Sequence, residues 1–169
     1  MSIRFAVREC WLGAVLVAAT ENGICAILLG GDPITVVRDL HDRFPDAQAS
    51  GHDEAFTAMV AAAVRFVEAP AGGLGVPLDL HGTPFQQRVW QALREIPAGS
   101  TASYSQIAER IGAPHAGYLV AEACAANPVA VAVPCHRVVR KDGTLAGYRW
   151  GFKRKRALLA REAAWRAAS

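Results

Sequence analysis

The stretch Ala69-Pro70-Ala71-Gly72-Gly73-Leu74-Gly75 limits what this chain can fold into more than any other. Three glycines and a proline within seven residues cannot continue a helix or a strand ladder, so no regular element crosses it. The 169 residues are thereby divided into two parts, each needing its own core. At 52% hydrophobic residues, there is material for both. The expected domains are residues 1–79 and 80–169.

The two parts differ in charge. Residues 1–79 hold five arginines against ten acidic residues, a net of −5, and residues 80–169 hold thirteen Lys or Arg against five, a net of +8. A basic half of this kind points to a polyanionic partner. Lys153-Arg154-Lys155-Arg156 taken alone reads as a solvated helix face. No apolar run approaches the roughly 18 residues of a membrane span, and no basic flank with an apolar segment opens the chain. Cys10, Cys25, Cys124 and Cys135 are widely separated and read as reduced thiols. The expectation is a cytoplasmic protein with no membrane partner.

The first part reads as a small α/β unit. Residues 3–10, 14–19 and 24–29 have strand composition, with Asn22-Gly23 as a hairpin turn. Residues 34–43 and 53–67 have helical spacing, the second through Phe56, Val60, Val64 and Val67. Cys10, Cys25, His41 and His81 match no compact ligand spacing, so no metal and no cofactor are expected.

In the second part Thr83, Pro84 and Gln86 form a capping box with proline at the first helical position. Phe85, Val89, Trp90, Leu93 and Ile96 then make an apolar stripe. Ser103 and Gln106 form a second capping box, and Gly112-Ala113-Pro114 separates that helix from another over residues 115–126. Two helices joined by a short turn have the spacing of a helix-turn-helix.

The run Val129-Ala130-Val131-Ala132-Val133 predicts a buried strand, stopped by Pro134. Cys135 follows, with His136 beside it. An isolated Cys-His pair is more often packing than chemistry, but a thiol next to a base is also the arrangement of an activated nucleophile.

These residues together carry a resemblance. Residues 80–169 resemble the catalytic domain of the O6-alkylguanine-DNA alkyltransferases. The similarity lies in Gly82-Thr83-x-Phe85-Gln86-Gln87, Ser103-Tyr104-x-Gln106, residues 121–127, Pro134-Cys135-His136-Arg137-Val138-Val139 and residues 142–151. Residues 1–79 resemble that family's accessory domain more loosely, as in Cys25-Ala26-Ile27-Leu28-Leu29. The resemblance implies an α/β ribonuclease-H-like N-terminal domain and a mainly α C-terminal domain with a helix-turn-helix. It implies a monomer that meets double-stranded DNA and moves an alkyl group from O6-alkylguanine, and O4-alkylthymine, to its own cysteine once.

The same resemblance gives the roles. Cys135 is the acceptor, His136 its base through a water, and Glu162 the group that orients His136. Asn127 braces the turn, and Tyr104 assists the leaving purine. The backbone around Val138 and the loop residues Tyr148, Arg149 and Trp150 hold the base, with Trp150 as a pocket wall that narrows the alkyl site. Tyr118, Ala121, Glu122 and Arg137 face DNA. Where the family has an arginine between small residues, this chain reads Gly117-Tyr118-Leu119. That departure reads either as an introduced change that weakens DNA binding or as divergence, with Tyr118 as an aromatic wedge. A module that binds alkylated DNA without repair, and a Cys-His-Glu acyl-transfer enzyme with turnover, are the competing function classes.

Overall fold

The computed structural model describes residues 2–51 and 53–169. They form two compact units, Met1–His81 with Pro128–Ala130, and Gly82–Asn127 with Val131–Ser169.

The first unit is built on a mixed sheet. Strands β1 (Arg4–Cys10), β2 (Gly13–Thr20) and β3 (Gly23–Gly30) form an antiparallel meander, and the two-residue β4 (Gln48–Ala49) adds in parallel beside β1. Every residue of β3, and all of β2 after Gly13, is buried, because helix α1 (Pro33–Arg43) packs on β2 and β3 and helix α2 (Glu54–Glu68) on β1 and β2. Asp32 and Asp53 cap these helices through the backbone N–H groups of Thr35 and Phe56. Asp53 also pairs with Arg4, whose guanidinium lies over the Phe56 ring.

The hairpin register differs by one residue from the sequence expectation. Glu21 and Asn22 make the turn, while Gly23 pairs with Thr20 inside the ladder. Gly23 is needed there for another reason: a Cβ on it would lie 2.5 Å from the Pro77 carbonyl oxygen. Ile24 exchanges hydrogen bonds with Pro77 and Asp79, so the segment beyond the glycine-rich stretch runs along β3. The division between units falls at His81/Gly82.

The second unit is helical. Helix α3 (Pro84–Arg94) and helix α4 (Tyr104–Arg110) start at the two capping boxes, each with both reciprocal hydrogen bonds. Helix α5 (Gly117–Ala125) packs on both, and Trp90 Nε1 donates to the Ala123 carbonyl at 2.9 Å. A parallel pair, β5 (Ala102–Ser103) and β6 (Val138–Val139), joins the segment before α4 to the stretch after Cys135. Helix α6 (Phe152–Ala168) closes the chain, making six α-helices among the described residues.

The predicted strand at residues 129–133 is not a strand. Val129 bridges to Ile27 and Ala130 N–H donates to the Ile27 carbonyl, after which the chain turns. Val131 has φ +69°, a left-handed conformation rare for a β-branched residue. The Val133 carbonyl accepts from both Asn127 Nδ2 and the Cys135 N–H, each at 2.8 Å. Tertiary hydrogen bonds override the β preference of the valines. Helix α5 likewise begins two residues later than expected, which places Gly117 at its first position rather than its interior.

Candidate active site

Cys135 opens a short 3-10 turn, Cys135–Arg137, directly after Pro134. Its side chain is buried, and Asn127 Nδ2 donates to Sγ at 3.2 Å. One asparagine amide therefore holds both the turn and the sulfur. Sγ lines a cavity of about 370 Å³ whose wall also includes Tyr104, Ala121, Cys124, Ala125, Gly147, Tyr148 and Arg149.

Behind the thiol lies a buried charged group. His136 is 0% exposed, and its Nε2 is 2.9 Å from Glu162 Oε2. Arg137 donates from Nε to Glu162 Oε1 (2.9 Å) and from Nη2 to Oε2 (2.8 Å), with a third bond to the Ile96 carbonyl (2.6 Å). Burial raises the Glu162 carboxyl, but the hydrogen bonds from His136 and Arg137 outweigh this and hold it at about 2. An ionised carboxylate only accepts, so the imidazole carries its proton on Nε2 and presents a lone pair at Nδ1. Nδ1 is buried with no hydrogen-bond partner among the described residues. Burial lowers the imidazole pKa more than Glu162 raises it, so His136 rests neutral.

Cys135 itself is pushed up to about 11 by burial, against the Asn127 hydrogen bond and the charges of Lys155 and Arg149. The resting sulfur is a thiol, and it needs a base to react at neutral pH. Tyr104, at the first position of α4, is also held protonated, raised to about 12 by burial and then by Cys124 and Cys135. A buried thiol, a neutral imidazole and a fixed carboxylate make an arrangement suited to nucleophilic displacement.

Four sequence expectations need correction. Arg137 does not face DNA: it is 7% exposed and bound to Glu162 and Ile96. Lys155 is not part of a solvated face: it is 0% exposed, and Nζ donates to the Val138 carbonyl (2.6 Å) and the Gly147 carbonyl (3.4 Å). Val138 lies in the β5–β6 ladder and is not a cavity wall. Trp150 stands behind the wall, with its ring 5.4 Å from that of Tyr148 and under the Arg149 guanidinium at 5.1 Å. It supports the loop rather than bounding the cavity.

Arg149 Nη1 donates to the Asn127 carbonyl at 2.5 Å, tying that loop to the brace of the thiol. Tyr118 and Glu122 are on the exposed face of α5, Tyr118 at 69%, whereas Ala121 turns to the cavity. Sequence reasoning missed Cys124 as a cavity residue. It also missed Lys155 and Leu158, whose three- and four-residue spacing to each other and to the expected Glu162 places all three on one buried face of α6.

A family model described as 6-O-methylguanine DNA methyltransferase, DNA binding domain, matches residues 84–164. The chain is 52% identical over 163 residues to the bifunctional transcriptional activator/DNA repair enzyme Ada of Escherichia coli K12, covering 96% of this chain and 46% of that protein. The chain thus spans about half the length of the Ada-type relatives it matches. It is 43% identical over 138 residues to the methylated-DNA–protein-cysteine methyltransferase of Mycolicibacterium paratuberculosis, covering 80% of this chain and 84% of that one. This chain belongs to the methylated-DNA–protein-cysteine methyltransferase family. A crystal structure of Mycobacterium tuberculosis OGT in complex with DNA shares its fold, with TM-score 0.77, 34% identity and coverage of 97% and 94%.

In this methyltransferase-family chain the buried groups set a pH window. The His136 pKa is depressed on folding, so its contribution is complete above about pH 6.5 and declines as pH falls below that value. Glu162 is depressed too, and its contribution declines from about pH 4.5 towards about pH 2. Cys135 is raised, so its contribution is complete below about pH 9 and is lost as pH rises through about 11. Denaturant midpoints measured from pH 4 to 11 should form a plateau between about 6.5 and 9. A midpoint that keeps rising below pH 6 would mean His136 is charged in the folded protein.

Proposed function

We propose that this chain repairs DNA by moving an alkyl group from O6 of guanine, and from O4 of thymine, to Cys135, once per molecule. The observation that supports it most is the Asn127-held thiol on a cavity wall, backed by a neutral imidazole and an ionised carboxylate. The Cys135 proton goes to His136 Nδ1 through a bridging water. Sγ attacks the alkyl carbon, the carbon–O6 bond breaks, and Tyr104 gives a proton or hydrogen bond to the departing purine. The thioether is stable, so the molecule is spent. The base must leave its stack to reach a cavity of this kind, with Tyr148 and Arg149 holding it there.

In this reading residues 80–169 are the catalytic and DNA-binding domain, and α4 and α5 are its helix-turn-helix. Residues 1–79 are a ribonuclease-H-like accessory domain. The protein acts as a monomer on double-stranded DNA. Intact mass after incubation with duplex O6-methylguanine should rise by one methyl group and then stop. Fragmentation of the tryptic peptide 111–137 should put that group on Cys135. Label on Cys10, Cys25 or Cys124 with Cys135 unmodified would sink the proposal.

Tyr118 supports a second feature of the reading. It is exposed on α5 beside Glu122, where the family's arginine is expected. A tyrosine can stack in a vacated site but cannot pair with phosphate. Tyr118→Arg should therefore tighten duplex binding about tenfold at low salt, with a steeper salt dependence from the added phosphate contact. Reaction with the free modified base, which needs no flipping, should stay the same. Unchanged duplex affinity would make Tyr118 a competent wedge.

A further inference from the structure

Two thiols line the candidate active-site cavity, and the mechanism above uses one. Cys124, near the end of α5, shares the wall with Cys135, and both are free. Both are tied to the same residue: the Asn127 N–H donates to the Cys124 carbonyl, and Asn127 Nδ2 donates to Cys135 Sγ, each at 3.2 Å. Burial holds the Cys124 thiol well above the ordinary range, and the neighbouring Cys135 is the next cause.

We infer that Cys124 is a second acceptor, which closes onto the free end of a two-carbon bis-electrophile once Cys135 has taken the first end. The substrate class is a 2-haloethyl lesion, and this rests on the reading of Cys135 as the alkyl acceptor.

A methyl lesion leaves nothing for Cys124 to attack, and a buried, protonated thiol is inert towards weak electrophiles. A 2-chloroethyl group is different. Cys135 Sγ bonds to one carbon as the carbon–O6 bond breaks, leaving a 2-chloroethyl thioether. The sulfur lone pair then displaces chloride and closes a three-membered sulfonium ring. Cys124 Sγ attacks one ring carbon, and that carbon–sulfur bond breaks with its electron pair returning to Cys135. The Cys124 proton passes to water. A strained sulfonium does not require a thiolate, and a nucleophile held on the same wall has the advantage of an intramolecular reaction over solvent. Tyr104 and Tyr148 are the other nucleophiles on that wall, but burial holds both phenols protonated.

Two probes separate this inference from the reading beneath it. Duplex O6-methylguanine reports on Cys135 alone, and 1,2-dibromoethane offers the thiols a two-carbon bis-electrophile without DNA. With dibromoethane the intact mass should rise by a single ethylene bridge. The tryptic peptide 111–137 should then give no backbone fragments between residues 124 and 135, because the bridge makes that stretch a ring. Duplex O6-(2-chloroethyl)guanine should yield the same product. In Cys124→Ser the bridge should be replaced by a hydroxyethyl group on Cys135, a comparison of products rather than of rates. A hydroxyethyl adduct on Cys135 of the unaltered protein, or a bridge to Tyr104 or Tyr148, overturns the inference whether or not the variant folds. If dibromoethane bridges the thiols while methylated DNA leaves Cys135 unlabelled, the thiol pairing stands and the repair reading falls.

Discussion

Glu162→Gln is expected to lower folding stability by about 3–5 kcal/mol and to slow alkyl transfer by at least about a hundredfold. The carboxylate accepts from His136 once and from Arg137 twice, all inside the second unit. Glutamine removes the only charge that these bonds give to Arg137, and its amide group points a donor at donors. The stability loss is the cost of an uncompensated buried guanidinium, whereas the rate loss comes from an imidazole no longer fixed in its tautomer. The two effects separate in the double variant Arg137→Met with Glu162→Gln. Removing both charges should recover most of the stability and leave transfer slow. Denaturant melts and single-turnover rates below the melting range measure both, and a double variant that regains its rate would reject the role given to Glu162.

Asn127→Ala is expected to cost about 1–3 kcal/mol and to slow transfer about a hundredfold. Its amide is the shared donor to the Val133 carbonyl and the Cys135 sulfur. Without it, the turn that follows Val131, whose φ is unfavourable, loses one of the two hydrogen bonds on the Val133 carbonyl. Sγ loses the hydrogen bond that most lowers its pKa, so the thiol should rise above its present value of about 11. The pH dependence of alkylation by a small haloacetamide reads this directly. Asn127→Asp keeps the size but brings a negative charge to the sulfur, and should raise the thiol further still. A thiol titration unchanged in both variants would show that Asn127 serves only the backbone.

Much of this was legible in the residues, for local reasons. Both capping boxes announced their helices because the signal lies within four residues, Thr83 to Gln86 and Ser103 to Gln106. The three long strands were legible for the same reason. The two-residue strands β4, β5 and β6 were not, since each exists only by pairing with distant chain. The valine run failed as a strand because bonds from Asn127 and to Ile27 decide its path. Arg137 and Lys155 were misplaced because a lone charged letter says solvent, and burial depends on partners: Glu162 is 25 residues from Arg137, and the Val138 carbonyl is 17 from Lys155. Trp150 was assigned to the right loop, but which side of Tyr148 it takes is a matter of packing.

The burial of Lys155 and Arg137 also changes what the charge of the second half means. Of the thirteen basic residues in 80–169, these two are buried, Lys155 with its charge on carbonyls and Arg137 with its charge on Glu162 and Ile96. A polyelectrolyte gives up its condensed counterions only to cations that reach its phosphates. Neither group can do so without leaving its interior partners, so neither contributes to the slope of affinity against salt concentration. Their positive charge is spent inside, as the scaffold of the Val138 strand, the Gly147 loop and the Glu162 carboxylate. Under the proposed reading, the ionic footprint that a duplex would meet is drawn from the remaining eleven basic residues, some of which, like Arg149 on the Asn127 carbonyl, also bond to protein oxygens, while Glu122 adds an acidic group on the exposed face of α5.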